Sequence, residues 1–136
     1  MAMLLLPATA ETLGSPIHSP LAQKTSDGRV RGEAEIPTVF GLSYHEAREL
    51  LIEAGWIPLL QSPSYRQQEP SLRSGHGQTF WEQGYREVTS CSGTGEGFCR
   101  FEFTDPSGRK LIVITAGLES PEMQAQAMVR NVSLEP

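Results

Sequence analysis

The sequence predicts an α+β domain: one amphipathic helix packed on a small antiparallel sheet of about four strands, preceded by a disordered N-terminal arm. Three observations carry this. Between residues 44 and 54, Tyr44, Ala47, Leu50, Leu51 and Ala54 share one helical face, while His45, Glu46, Glu49 and Glu53 share the other. Residues 98–116 alternate and then run apolar around Asp105–Pro106–Ser107–Gly108–Arg109, the pattern of two strands joined by a tight turn. Residues 11–35 carry two Ser-Pro pairs, scattered charge and no apolar period, so they bury too little surface to offset chain entropy.

The bounds on the chain agree. Its 136 residues suit one domain, and 38% apolar residues suit one modest core. A net charge of −5 and a pI near 5.2 exclude the clustered basic surface that nucleic-acid binding needs. The same balance disfavours an anionic membrane surface. No apolar run approaches the roughly 20 residues that cross a bilayer.

The elements follow in order. Residues 1–10 read as a truncated signal segment, with the Ala8–Thr9–Ala10 pattern placing cleavage before Glu11. Residues 11–35 are a linker, and the folded domain is expected over 36–117. Ile36–Phe40 is short, β-branched and ended by Gly41, which predicts a strand. Ser43 with Glu46 three residues later forms a capping box at the start of the helix, and Gly55 supplies its left-handed stop. Trp56–Gln61 reads as a strand, which Pro58 confines to an edge or a bulge. Residues 62–79 are rich in Ser, Pro, Gly and Gln and read as a long loop. Tyr85–Ser90 reads as a strand. In the hairpin, Cys99, Phe101 and Phe103 point to one face, and the continuous run Lys110–Thr115 predicts a central strand covered on both sides. Residues 118–136 read as a tail or a short helix with Ser120 as N-cap and Pro121 at the first position.

The stretch from Cys91 to Cys99, with glycines at 93, 95 and 97, allows four chemistries. A phosphate cradle would need its glycines to run into a helix, and here they run into a strand. A zinc site would need a second close pair of ligands, whereas His18, His45 and His76 are isolated, so no metal is assigned. A thiol nucleophile would need His76 or His45 brought beside it in space. A disulfide needs only a flexible connection, and a ring this small stabilises by about 2–3 kcal/mol. The Cys91–Cys99 disulfide is the expectation, given an oxidising compartment, with two buried thiols as the plain alternative.

Two resemblances add to this reading. Pro37, Gly41, Leu42, Ser43, Ala47, Leu51 and Gly55 resemble the opening of a PASTA domain, an envelope module, and imply cell-wall binding. More of the chain, about residues 43–117, resembles a group of small uncharacterised bacterial envelope proteins. They share a helix ending in Gly-Trp-x-Pro, Cys-x-Gly-x-Gly with a second Cys, an aromatic strand and an apolar strand. That resemblance implies fold and export, and it brings no activity.

The expected function is an exported, non-enzymatic binding or accessory module of the bacterial cell envelope, in a periplasmic, secreted or other extracytoplasmic compartment. An envelope protein or a glycan is the expected partner, nucleic acid is excluded, and neither a cofactor nor a catalytic residue is assigned. Arg73, His76, Phe80, Trp81, Tyr85 and Arg86 are the candidate binding residues, because exposed aromatics flanked by Arg anchor interfaces. The competing expectation is that these aromatics cap the sheet. The alternatives are a thiol enzyme or hydrolase using Cys91 or Cys99 with His76, and a secreted inhibitor that inserts residues 62–80 into a cleft.

Overall fold

The computed structural model describes residues 30–136. The signal segment and residues 11–29 of the expected linker lie outside the described residues. The compact unit runs from Glu33 to Pro136. Its elements are α1 (Tyr44–Glu53), β1 (Ile57–Pro58), α2 (Pro63–Gln68), a 3₁₀ turn (Pro70–Leu72), α3 (Gly75–Glu82), β2 (Val88–Cys91), β3 (Cys99–Thr104), β4 (Lys110–Ala116) and β5 (Met128–Leu134). The α+β class and the antiparallel sheet hold. The sheet has five strands rather than about four, and three helices stand where one was expected.

Local chemistry explains α1. Ser43 stays extended and its Oγ accepts from the Glu46 N–H at 3.2 Å, which satisfies one free donor of the first turn. Gly55 ends the helix at a φ of +109°. Tyr44, Ala47 and Leu51 are buried, one to each turn. The Tyr44 ring stacks on Phe101 of β3 with centroids 3.7 Å apart, and the edge of Phe80 meets it from α3. Each such ring contributes about 1.5–3 kcal/mol of burial, so this contact fixes both helices on the sheet.

β3 and β4 form the expected hairpin, in continuous register from Cys99↔Thr115 to Thr104↔Lys110. Cys99, Phe101 and Phe103 are buried in alternation, with Leu111 and Val113 beside them. β4 is central, flanked by β3 and β5, and Ile112 on its other face is also buried. On that face Arg100, Glu102, Lys110 and Glu135 form an ion network. The remaining edge of β3 is shared: β1 pairs at Thr104 and Phe103, and β2 pairs from Phe101 to Cys99. β1 is only two residues long and lies at that edge, as Pro58 requires.

Three expectations need correction. Ile36–Phe40 forms no strand. Ile36 and Phe40 are 43% and 67% exposed, only Val39 is buried among its apolar residues, and Gly41 and Leu42 bond to Val129 beyond. The chain meets the outer edge of β5 only after this stretch, at Gly41–Ser43, and there only as isolated bonds. Residues 62–79 are not a loop. Ser62 caps α2 by accepting from the Tyr65 N–H at 3.0 Å, and Pro63 and Pro70 each start a helical turn. Finally, 118–136 is neither tail nor helix, because β5 pairs along β4 and the domain extends past 117. Ser120 instead closes a turn by mutual backbone bonds with Ala125. The reason is a bulge: Ile114 faces Asn131 and Thr115 faces Val129, so Arg130 is the extra residue. Val129 and Val132 both reach the core side although they stand three apart, a spacing that imitates a helix.

Candidate functional site

A hollow of about 540 Å³ opens between α1, the residues after α3 and the turn before β5. His45, Gln83, Tyr85, Glu119, Pro121, Gln124, Ala125 and Gln126 line it. His45 projects from the polar side of α1, the side it shares with Glu46, Glu49 and Glu53, and is half-buried there. Its imidazole joins two distant segments. Nε2 lies 2.8 Å from Glu119 Oε2, and Nδ1 lies 2.7 Å from the Tyr85 hydroxyl.

Glu119 is the anchor. Its side chain is 2% exposed, yet it accepts from the Ala127 N–H at 2.9 Å and from Gln83 Nε2 at 3.1 Å as well as from His45. These donors suit a carboxylate, so the proton of neutral His45 sits on Nε2 and Nδ1 accepts from Tyr85. The Gln83 amide is oriented by the same contact, because its nitrogen must face Glu119. Its Oε1 is then a buried acceptor with no partner.

Tyr85 is raised in pKa by burial, against the pull of Arg48 and with the help of Glu119, Glu87 and Glu49. It therefore stays a phenol. The Arg48 guanidinium lies 4.7 Å from the Tyr85 ring centre and pairs with the buried Glu87, which also accepts from the Tyr44 hydroxyl at 2.6 Å. Burial and Glu87 together raise the Tyr44 hydroxyl well above the ordinary phenol range. This buried triad fixes the floor beneath Tyr85.

The six candidate residues separate. Tyr85 lines the hollow. Phe80 and Trp81 are 0% and 5% exposed and belong to the core, so they present no face to a partner. Arg66 and Arg86 cover the Trp81 ring at 5.5 and 5.1 Å. Arg73 is exposed and stands apart from the hollow. His76 sits behind it: Nδ1 accepts from the Glu119 N–H at 3.4 Å, and its ring packs against Gly97.

Cys91 and Cys99 are a cross-strand pair of β2 and β3, joined as a disulfide. His76 and Cys91 line a smaller hollow together, but the bonded sulfur is no thiolate for that imidazole to activate. His45, Gln83 and Glu119 escaped the sequence reading as a binding group. His45 and Glu119 are 74 positions apart, and no local spacing marks them as neighbours. Among the described residues no helix is long and apolar enough to cross a membrane. Comparison with protein-family models, with curated proteins and with solved structures gives no match for this chain.

Proposed function

We propose that the chain is an exported, non-enzymatic binding or accessory module of the bacterial cell envelope, and that it binds through the hollow around His45, Tyr85 and Glu119. The observation that carries this reading is the state of the reactive groups there. The imidazole is engaged at both nitrogens and the phenol is held protonated, while outside the hollow the two sulfurs are bonded to each other. Such a site recognises; it has no group poised to attack. The disulfide supports export, because cytosolic thiols are kept reduced. Planar amides from Gln83, Gln124 and Gln126 beside an aromatic ring are the groups that bind polar ligands such as glycan segments.

The test has two arms. Native protein from the envelope fraction is alkylated with and without reductant, and both sulfurs are expected to react only after reduction. Full alkylation without reductant removes the case for export. Labelled protein is titrated with soluble cell-wall glycan and stem-peptide fragments, and amide shifts are expected to gather at residues 45, 83–85 and 119–126. Shifts spread elsewhere, or none, remove this hollow as the binding surface.

A further inference from the structure

Taking that hollow as the binding site, we infer that it takes a ligand bearing a primary ammonium group, seated against Glu119, Gln83 and Tyr85. Charge is the first ground. The Glu119 side chain is buried and accepts from His45, Gln83 and the Ala127 N–H, and no Lys or Arg pairs with it among the described residues. The nearby cation Arg48 is already paired with Glu87 at 2.6 Å. A second hollow adjoins through Gln83 and Pro121, and its walls include Glu82 and Glu122. Among the described residues no Lys or Arg lines either hollow. A hollow whose carboxylates are its charged lining groups favours the opposite charge in its ligand.

Hydrogen bonding is the second ground. The neutral site offers acceptors: the unpartnered Gln83 Oε1, the remaining lone pair of the Tyr85 oxygen and the Glu119 carboxylate. An ammonium group brings three donors and no acceptor. Pro121, Ala125 and the Tyr85 ring supply apolar wall for the carbon stem.

Protonation of His45 opposes this ligand. The imidazolium then neutralises Glu119, and its Nδ1–H donates to Tyr85, which turns the phenol hydrogen toward the hollow. The groups facing His45 and its partners are Glu119, Tyr85, Arg48, Glu87 and Glu49, with His76 behind the Glu119 backbone. The two cations compete for one carboxylate, so amine affinity falls on acidification.

The probes are n-butylammonium, n-butanol and butyrate, titrated into the full labelled chain at pH 8 and pH 5. At pH 8 the ammonium is expected to bind at least about tenfold tighter than the alcohol, with shifts at residues 45, 83, 85 and 119. Its affinity should drop at pH 5. Glu119→Gln should erase the preference for ammonium. Since that variant risks misfolding, His45→Gln is the second: it keeps an uncharged donor to Glu119, and whatever its ammonium affinity at pH 8, that affinity should no longer drop at pH 5. Lysine methylamide, glucosamine and N-acetylglucosamine then separate a peptide amine from an amino sugar, with the acetylated sugar expected to fail. Equal binding of alcohol and ammonium, or preference for butyrate, overturns the ammonium assignment while the binding hollow stands. No response at these residues to any probe or wall fragment overturns both.

Discussion

Asp105 shows how one side chain closes this fold. Its carboxylate accepts from the Ser107 N–H and hydroxyl, from the Arg109 N–H and Nε, and from the Ala34 N–H. The first four hold the β3–β4 turn, and the last ties the incoming chain to it across 71 positions. Arg109 adds a bond to the Ala34 carbonyl and covers Trp56, whose indole N–H donates to Glu35. Burial alone would raise the Asp105 pKa, but the bonds from Ser107, Ala34 and Arg109 outweigh it and hold it at about 2. An unfolded aspartate titrates near 4, so between these values protons favour the unfolded chain. The carboxylate therefore contributes about 2 kcal/mol above pH 4 and loses it as pH falls toward 2. Urea unfolding of Asp105→Asn should show a deficit of that order at pH 7 that shrinks by pH 2. A constant deficit across that range would sink the assignment. Glu87 is the second such residue. Its removal as Glu87→Ala leaves Arg48 and the Tyr44 hydroxyl without their buried partner, and a loss of about 3–5 kcal/mol is expected in the same assay.

Elements differ in how plainly the sequence announces them. Helix α1 and the β3–β4 hairpin depend on spacing within one segment, and Ser43, Gly55 and Asp105 mark their ends locally. Strand β5 was hidden because its bulge at Arg130 breaks the period of two. The short helices of 62–82 were hidden because Ser and Pro serve both as helix starters and as loop residues. The hollow was hidden for a different reason: α1 supplies His45, the residues after α3 supply Gln83 and Tyr85, and the turn before β5 supplies Glu119. Only the assembled fold brings them together. One of these elements makes a sharp test. Helix α3 crosses the 3₁₀ turn so closely at Gly77 that a methyl group there would overlap the Ser71 carbonyl. Backbone on both sides cannot yield without moving Phe80 and Leu72 in the core. Gly77→Ala should lower stability by about 1–3 kcal/mol despite the better helix propensity of alanine. An unchanged or raised melting temperature would show that the two segments are not held in this contact.

At the scale of the molecule, the disulfide is a local staple with a longer reach than its ring. Cys91 and Cys99 are eight positions apart, and closing so short a loop contributes about 2–3 kcal/mol. A domain of this size holds about 5–15 kcal/mol in total, and β3, β4 and β5 pair through backbone bonds that run well beyond Cys99. Reduction should therefore leave the protein folded, with a melting temperature lower by roughly 10 °C. The ring segment also touches what anchors the hollow. Glu96 O accepts from the Gly117 N–H at 2.7 Å, and Gly97, at a φ of +65°, lies flat against His76, which in turn receives the Glu119 N–H. Loosening residues 92–98 should thus be felt at Glu119, across the sheet end rather than along the chain. Amide spectra of the reduced protein, or of Cys91→Ser with Cys99→Ser, should move at residues 76, 117 and 119 while β4 and β5 stay in place. If the changes stop at the ring itself, the covalent bond stabilises but does not support the hollow. If the whole sheet is lost, the core is weaker than its buried aromatic cluster implies.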